Sequence, residues 1–144
     1  MVRVIAPLGG EERVLLDGWR YGPPYEFYNG EDDPVQNPER FFVVREDAEI
    51  VGFYYFDEGR DTVEIGLGLR PDLTGKGLGL EFFLEGVAFA HDRFPGRRVT
   101  LNVAAFNERA ITVYERAGFR RTGEHVRTFD RWGDVPFVEM EEER

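Results

Sequence analysis

Leu69-Arg-Pro-Asp-Leu-Thr74-Gly-Lys-Gly-Leu-Gly79 is the stretch whose reading decides the fold. It follows a strand-like run, Thr62–Leu69. It precedes a segment in which Gly79, Phe82, Phe83, Gly86, Val87, Ala90 and Phe94 recur at helical spacing. That period predicts an amphipathic helix over 77–94, stopped by Pro95-Gly96. A glycine-rich turn between a strand and a helix has a physical use. The first amides of a helix lack internal partners and carry partial positive charge, so they attract anions. Glycine lets the backbone come close to a phosphate and adopt positive φ. Two familiar patterns fail here. A Walker loop needs Ser or Thr after Gly75-Lys76, where Gly77 stands, and a glycine at position 70, which is Arg. A dinucleotide fingerprint starting at Gly75 would need glycine where Leu80 stands. Taken alone, the turn leaves a ligand-free strand-to-helix junction equally open.

Upstream, 2–6 reads as a strand ended by Pro7, Gly9 and Gly10, and 11–19 as a helix with Val14 and Leu15 on its apolar side. An aromatic stretch punctuated by turn residues follows at 21–30. Residues 31–38 are acidic and proline-bearing, a loop with a short helix. Strand-like runs at 41–45, 50–56 and 62–69, with turns at 46–49 and 57–60, form an antiparallel meander. Downstream, 99–104 is apolar and β-prone. Asn107 opens a helix with Ala110, Ile111, Tyr114 and Ala117 along one side, and Gly118 closes it. Strands at 120–130 and 135–141 flank the Trp132-Gly133-Asp134 turn. Helices separating strands in the second half predict α/β layering. With no repeat or linker, residues 1–144 read as one domain.

Bulk properties narrow the function. The chain has 144 residues, 42% hydrophobic and 32% charged, an ordinary globular composition. The formal net charge of −10 disfavours nucleic acid and suits cationic ligands such as amines. There are no cysteines, which removes disulfides and thiol nucleophiles, and the 2 histidines are too few for an ordinary zinc cluster. No metal is expected. Neither a signal segment nor a membrane span is legible, so the expectation is a cytoplasmic protein with no membrane partner.

A second motif gives the glycine turn its meaning. Leu101-Asn-Val-Ala-Ala-Phe-Asn107-Glu-Arg-Ala110-Ile-Thr-Val-Tyr114-Glu-Arg-Ala-Gly118-Phe119 lies downstream of it. Together the two stretches resemble the GNAT superfamily of acyl-CoA-dependent N-acetyltransferases. The first matches its phosphate turn, [Q/R]-x-x-G-x-[G/A], and the second its N-x-x-A-x-x-x-Y-x-x-x-G-F pattern. The resemblance is specific over 63–119. It implies an α/β (α+β) fold: a mixed, mostly antiparallel sheet of about seven strands, flanked by about four helices and splayed in the middle at a β-bulge. It implies acetyl-CoA as co-substrate, held by Leu67, Gly68, Leu69, Thr74, Gly75, Lys76, Gly77, Leu78, Gly79, Asn107 and Tyr114. Thr74 departs from the usual Gln or Arg, so a phosphate contact from there is shorter and uncharged; Lys76 is the nearby cation that compensates. Gly66 and Gly68 suit a bulge, with close packing as the alternative.

Amide formation from a thioester needs a neutral amine, a held acyl donor, an oxyanion donor and an acid for the leaving thiolate. Without cysteine, direct attack in a ternary complex is the expected route. By the resemblance Tyr114 is the acid; a phenol with a reference pKa near ~10 stays protonated at neutral pH. A core aromatic is its plain alternative. Asn107 caps its helix and contacts the pantetheine arm. Alternation sets Glu64 opposite Val63 and Ile65, making it the base candidate, with a solvated strand carboxylate as the alternative. His91 and His125 read as surface or packing residues, since neither falls in a recognised catalytic spacing. The acceptor pocket is expected around Trp19, Tyr25, Glu26 and Tyr28, where aromatic walls and a carboxylate suit an alkylammonium; cover for a sheet edge is the alternative. The partner is thus a small-molecule or peptide amine, and the family's habit adds a homodimer. The leading function is N-acetyl transfer from acetyl-CoA to a primary amine. A non-catalytic acyl-CoA sensor on the same fold is the alternative.

Overall fold

The computed structural model describes residues 3–22, 25–28 and 37–143, with the side chains of Glu26 and Phe27 outside that description. Its strands are β1 (Arg3–Pro7), β2 (Phe41–Glu46), β3 (Glu49–Glu58), β4 (Thr62–Leu69), β5 (Arg98–Ala104), β6 (Phe119–Phe129) and β7 (Gly133–Glu142). Its α-helices are α1 (Gly10–Asp17), α2 (Gly79–Arg93) and α3 (Glu108–Arg116). The strands form one seven-stranded sheet in the order β1-β2-β3-β4-β5-β7-β6. Pairing is parallel at β4–β5 and antiparallel at β1–β2, β2–β3, β5–β7 and β6–β7. Among the described residues there are three α-helices rather than about four. The segment 31–38 that carried the additional expectation lies mostly outside the described residues, and Pro38–Arg40 is a 3-10 turn. No helix of the described residues is long and apolar enough to cross a membrane.

The chain forms two compact units, Met1–Tyr55 with Leu67–Thr74, and Phe56–Gly66 with Gly75–Arg144. In the first, Leu16 of α1 is buried with Val43 and Ile50, and Leu8, Trp19 and Phe53 pack around them. Val14 and Leu15, expected on the apolar side of α1, are instead 72% and 57% exposed. A helix of two turns presents only a narrow face, and Leu16 occupies it. Gly68 of β4 lies directly under the Phe53 ring, where a Cβ would overlap ring carbons. This is the close-packing reading of that glycine.

The second unit is organised by one sheet face. Val63 and Ile65 of β4, Val99, Leu101 and Val103 of β5, and Val138 and Met140 of β7 are all buried. Register makes them neighbours: Val63↔Val99, Leu101↔Met140 and Val103↔Val138. Helix α2 covers this face. Its Phe83 ring lies 4.9 Å from Phe119 of β6, and its His91 bonds Glu142 of β7 at 2.9 Å. Phe82 and Phe83 are fully buried, each stabilising the unit by roughly 1.5–3 kcal/mol. The alternate residues of the same strands, Glu64, Thr100, Asn102, Glu139 and Glu141, therefore share the opposite face. Among the described residues the parallel ladder stops at Glu64↔Thr100, although β5 runs on to Ala104.

Candidate active site

The glycine turn takes its shape from backbone rather than packing. Gly75 and Gly77 have φ of +73° and +77°, the left-handed region that side chains resist. A Cβ on Gly77 would meet nothing within 4 Å, so its glycine serves conformation alone. The expected helix start at 77 is thus corrected to Gly79, because a left-handed residue cannot join a right-handed helix. The N-cap, Leu78, gives no side-chain cap to the first-turn amides of α2, which have no partner within the helix. Lys76 is exposed beside them. Thr74, counted with the first unit, gives its hydroxyl proton to the Pro71 carbonyl at 2.7 Å, so its side chain is already spent on the turn.

On α3, the Asn107 Oδ1 accepts the Ala110 N–H at 3.2 Å, the capping half of its expected role. Gly118, with φ +92°, closes the helix as expected. The Tyr114 ring packs on Phe83, centroids 4.6 Å apart, and is half-buried. Tyr114 thus lies on the helix-covered side of the sheet, while Glu64, also half-buried, lies on the other side. Gly79 of the glycine turn lies beside α3, where an added Cβ would sit 3.5 Å from Val113.

In the first unit, Trp19 packs 6.2 Å from the Phe53 ring, in the aromatic cluster beside Leu16. Tyr25 and Tyr28 are half-buried on the 3-10 turn Tyr25–Tyr28, and the Glu26 side chain lies outside the described residues. The Leu69 carbonyl accepts the Tyr21 hydroxyl at 2.8 Å, and burial pushes that phenol well above its ordinary pKa. Leu67, Gly68 and Leu69 end β4 and are half-buried.

Two features escaped the sequence reading. Arg109, the second residue of α3, brings its guanidinium to 3.5 Å from the Cβ position of Gly75. Its place in the Asn107–Tyr114 motif was the available signal. His125, read as surface or packing, is held in a chain: its Nδ1 lies 2.7 Å from Glu139, and Arg127 donates to its Nε2 at 3.0 Å. Only the β6–β7 register could show that. His91 is exposed and paired with Glu142, in keeping with its reading. A cavity of about 240 Å³ opens at the Arg98 end of β5, opposite the end that leads to Asn107. Its Arg98 and Arg120 both pair with Glu141, so it is an ion-pair network remote from the glycine turn.

Residues 12–119 match the model of the acetyltransferase (GNAT) family. The chain is 38% identical over 100 residues to a mycothiol acetyltransferase of Geodermatophilus obscurus, covering 63% of this chain and 32% of that protein. It is 36% identical over 92 residues to that of Streptomyces coelicolor, covering 60% and 29%. The chain thus spans about a third of the length of these curated relatives. Among solved structures, a chimera of the Vibrio cholerae spermidine N-acetyltransferase with hSSAT superposes at TM-score 0.78 and 18% identity, over 97% of this chain and 94% of the other. The Vibrio cholerae spermidine N-acetyltransferase in complex with CoA and spermine gives 0.69 at 20%, over 97% and 95%. With the family model covering most of its length and its sheet built to the same plan, the chain belongs to the GNAT family of acetyltransferases.

Proposed function

We propose that residues 1–144 act as one N-acetyltransferase domain, moving an acetyl group from acetyl-CoA to a primary amine by direct attack. The observation that carries this is the turn of Gly75 and Gly77, both at positive φ, opening into the uncapped N-terminus of α2 beside Arg109. First-turn amides without a side-chain cap, an exposed Lys76 and a guanidinium suit the pyrophosphate of CoA. Acetyl-CoA supplies the activated thioester. The backbone of Leu67, Gly68 and Leu69, together with Asn107, is assigned to the pantetheine arm. Trp19, Tyr25, Glu26 and Tyr28 are assigned to the acceptor.

Each proton then has a route. Glu64 accepts, directly or through water, the proton that the acceptor ammonium must lose before its nitrogen can attack the thioester carbonyl. Tyr114 gives its phenolic proton to the sulfur as the C–S bond breaks, and the second proton that the nitrogen sheds on becoming an amide passes through solvent to restore the phenol. Acid and base approach from opposite sides of the sheet. The reacting atoms therefore belong where the β4–β5 ladder ends, past Glu64↔Thr100.

The test is release of free thiol from acetyl-CoA across polyamines, amino acids, aminoglycosides and peptide amines. Initial rates should intersect, as a ternary complex requires. Parallel lines would overturn direct attack. Thermal stabilisation by acetyl-CoA with no acceptor active would assign the chain to a binding role instead.

A further inference from the structure

On the sheet face that carries Glu64, the β6–β7 hairpin already holds a cation. The Arg127 guanidinium carbon lies 4.6 Å above the centre of the Phe137 ring. Its Nε donates to His125 Nε2 at 3.0 Å. A guanidinium has no acceptor atom, so Nε2 carries the lone pair and Nδ1 carries the hydrogen, donated to Glu139 at 2.7 Å. The imidazole lies nearly parallel to the Phe137 ring, 13° between planes with centroids 5.6 Å apart. The result is a receptor for an N–H-bearing cation: a π face beneath, an oriented lone pair beside it, and a carboxylate behind. Gly123 leaves room for the Glu139 side chain, since a Cβ there would sit 2.9 Å from its carboxylate oxygen.

The occupant is replaceable. Arg127 is exposed, and an exposed charged side chain held by one hydrogen bond and a ring contact is weakly fixed. The location points to the acceptor. Glu139 faces Asn102 in register, and Thr100, two residues before it, faces Glu64. Two strand spacings across and two residues along separate Glu64 from Glu139 by about 12 Å. Polar Thr100 and Asn102 lie between them.

We infer that Phe137, His125 and Glu139 bind a second cationic centre of the acceptor, displacing Arg127, so that the acceptor is a diamine or longer polyamine rather than a monoamine. This rests on the acetyl-transfer reading and names the substrate class of that same site. Matched alkyl monoamines and α,ω-diamines are assayed with saturating acetyl-CoA. Wild type is expected to favour the diamine at least tenfold in kcat/KM, through KM. Glu139→Gln should remove most of that preference by raising the diamine KM. Glu139→Asp should restore part of it, and Arg127→Gln should lower the diamine KM severalfold. No diamine preference in wild type, or its survival in Glu139→Gln, overturns the inference.

A binding arm separates the two readings. Tetramethylated hexanediamine presents N–H cations at neutral pH but cannot form an amide. Titrating it while following the His125 ring resonances by NMR, assigned with a His125→Gln variant, reads the subsite without chemistry. A saturable shift in a protein that acetylates nothing keeps the subsite and sinks the transferase reading. Acetyl transfer without that shift does the reverse.

Discussion

Replacing Arg109 by Gln should weaken acetyl-CoA binding. The guanidinium stands 3.5 Å from the Cβ position of Gly75, where a phosphate held by the turn would be its neighbour. Two unit charges about 4 Å apart attract by roughly 1 kcal/mol in bulk water and roughly 4 kcal/mol at an effective dielectric near 20. Arg109 is exposed, so the lower half of that range applies, about 1–2 kcal/mol, or roughly 5- to 30-fold in Kd. Isothermal titration with acetyl-CoA at low salt should show the weakening. Acetyl-pantetheine, which lacks the nucleotide phosphates, should bind both proteins alike. Unchanged acetyl-CoA affinity, or an equal loss for acetyl-pantetheine, would refute a phosphate role.

Tyr114→Phe keeps the ring on Phe83 and removes the phenolic hydroxyl, so turnover should fall roughly 10²–10⁴-fold with acetyl-CoA affinity little altered; stopped-flow thiol release and titration separate the two. Gly68→Ala should destabilise by about 1–3 kcal/mol in urea unfolding, because the new Cβ overlaps Phe53, and adding Phe53→Leu should recover part of the loss. Burial raises the Tyr21 phenol above its ordinary value near ~10, so the folded state holds that proton longer than the unfolded chain does. Its contribution is complete below about pH 10 and is lost as pH climbs beyond that. Tyr21→Phe should be less stable at neutral pH, lacking the bond to Leu69, yet show a shallower alkaline decline in chemical denaturation.

Much was legible in the chain alone. Strand alternation and helical periodicity placed every described strand within a few residues, and Gly118 ended α3 where its position required. Family and cofactor class came from a resemblance carried by Gly75, Gly77, Asn107 and Tyr114; the residues themselves showed an anion-binding turn and a helix cap, features that depend on backbone and are written locally. Other features needed the tertiary structure. Thr74 was expected to give the glycine turn only a short, uncharged contact to phosphate, with Lys76 compensating. Which cation stands over that turn depends on how α3 meets α2, and the answer, Arg109, lies 35 positions away by the residue numbers. Val14 and Leu15 satisfied a helical pattern, but which face meets the core of a two-turn helix is decided by its partners. His125 had no local signal. Glu139, Phe137 and Arg127 surround it only through the antiparallel register of β6 and β7, and register between strands is a non-local quantity that local sequence does not encode.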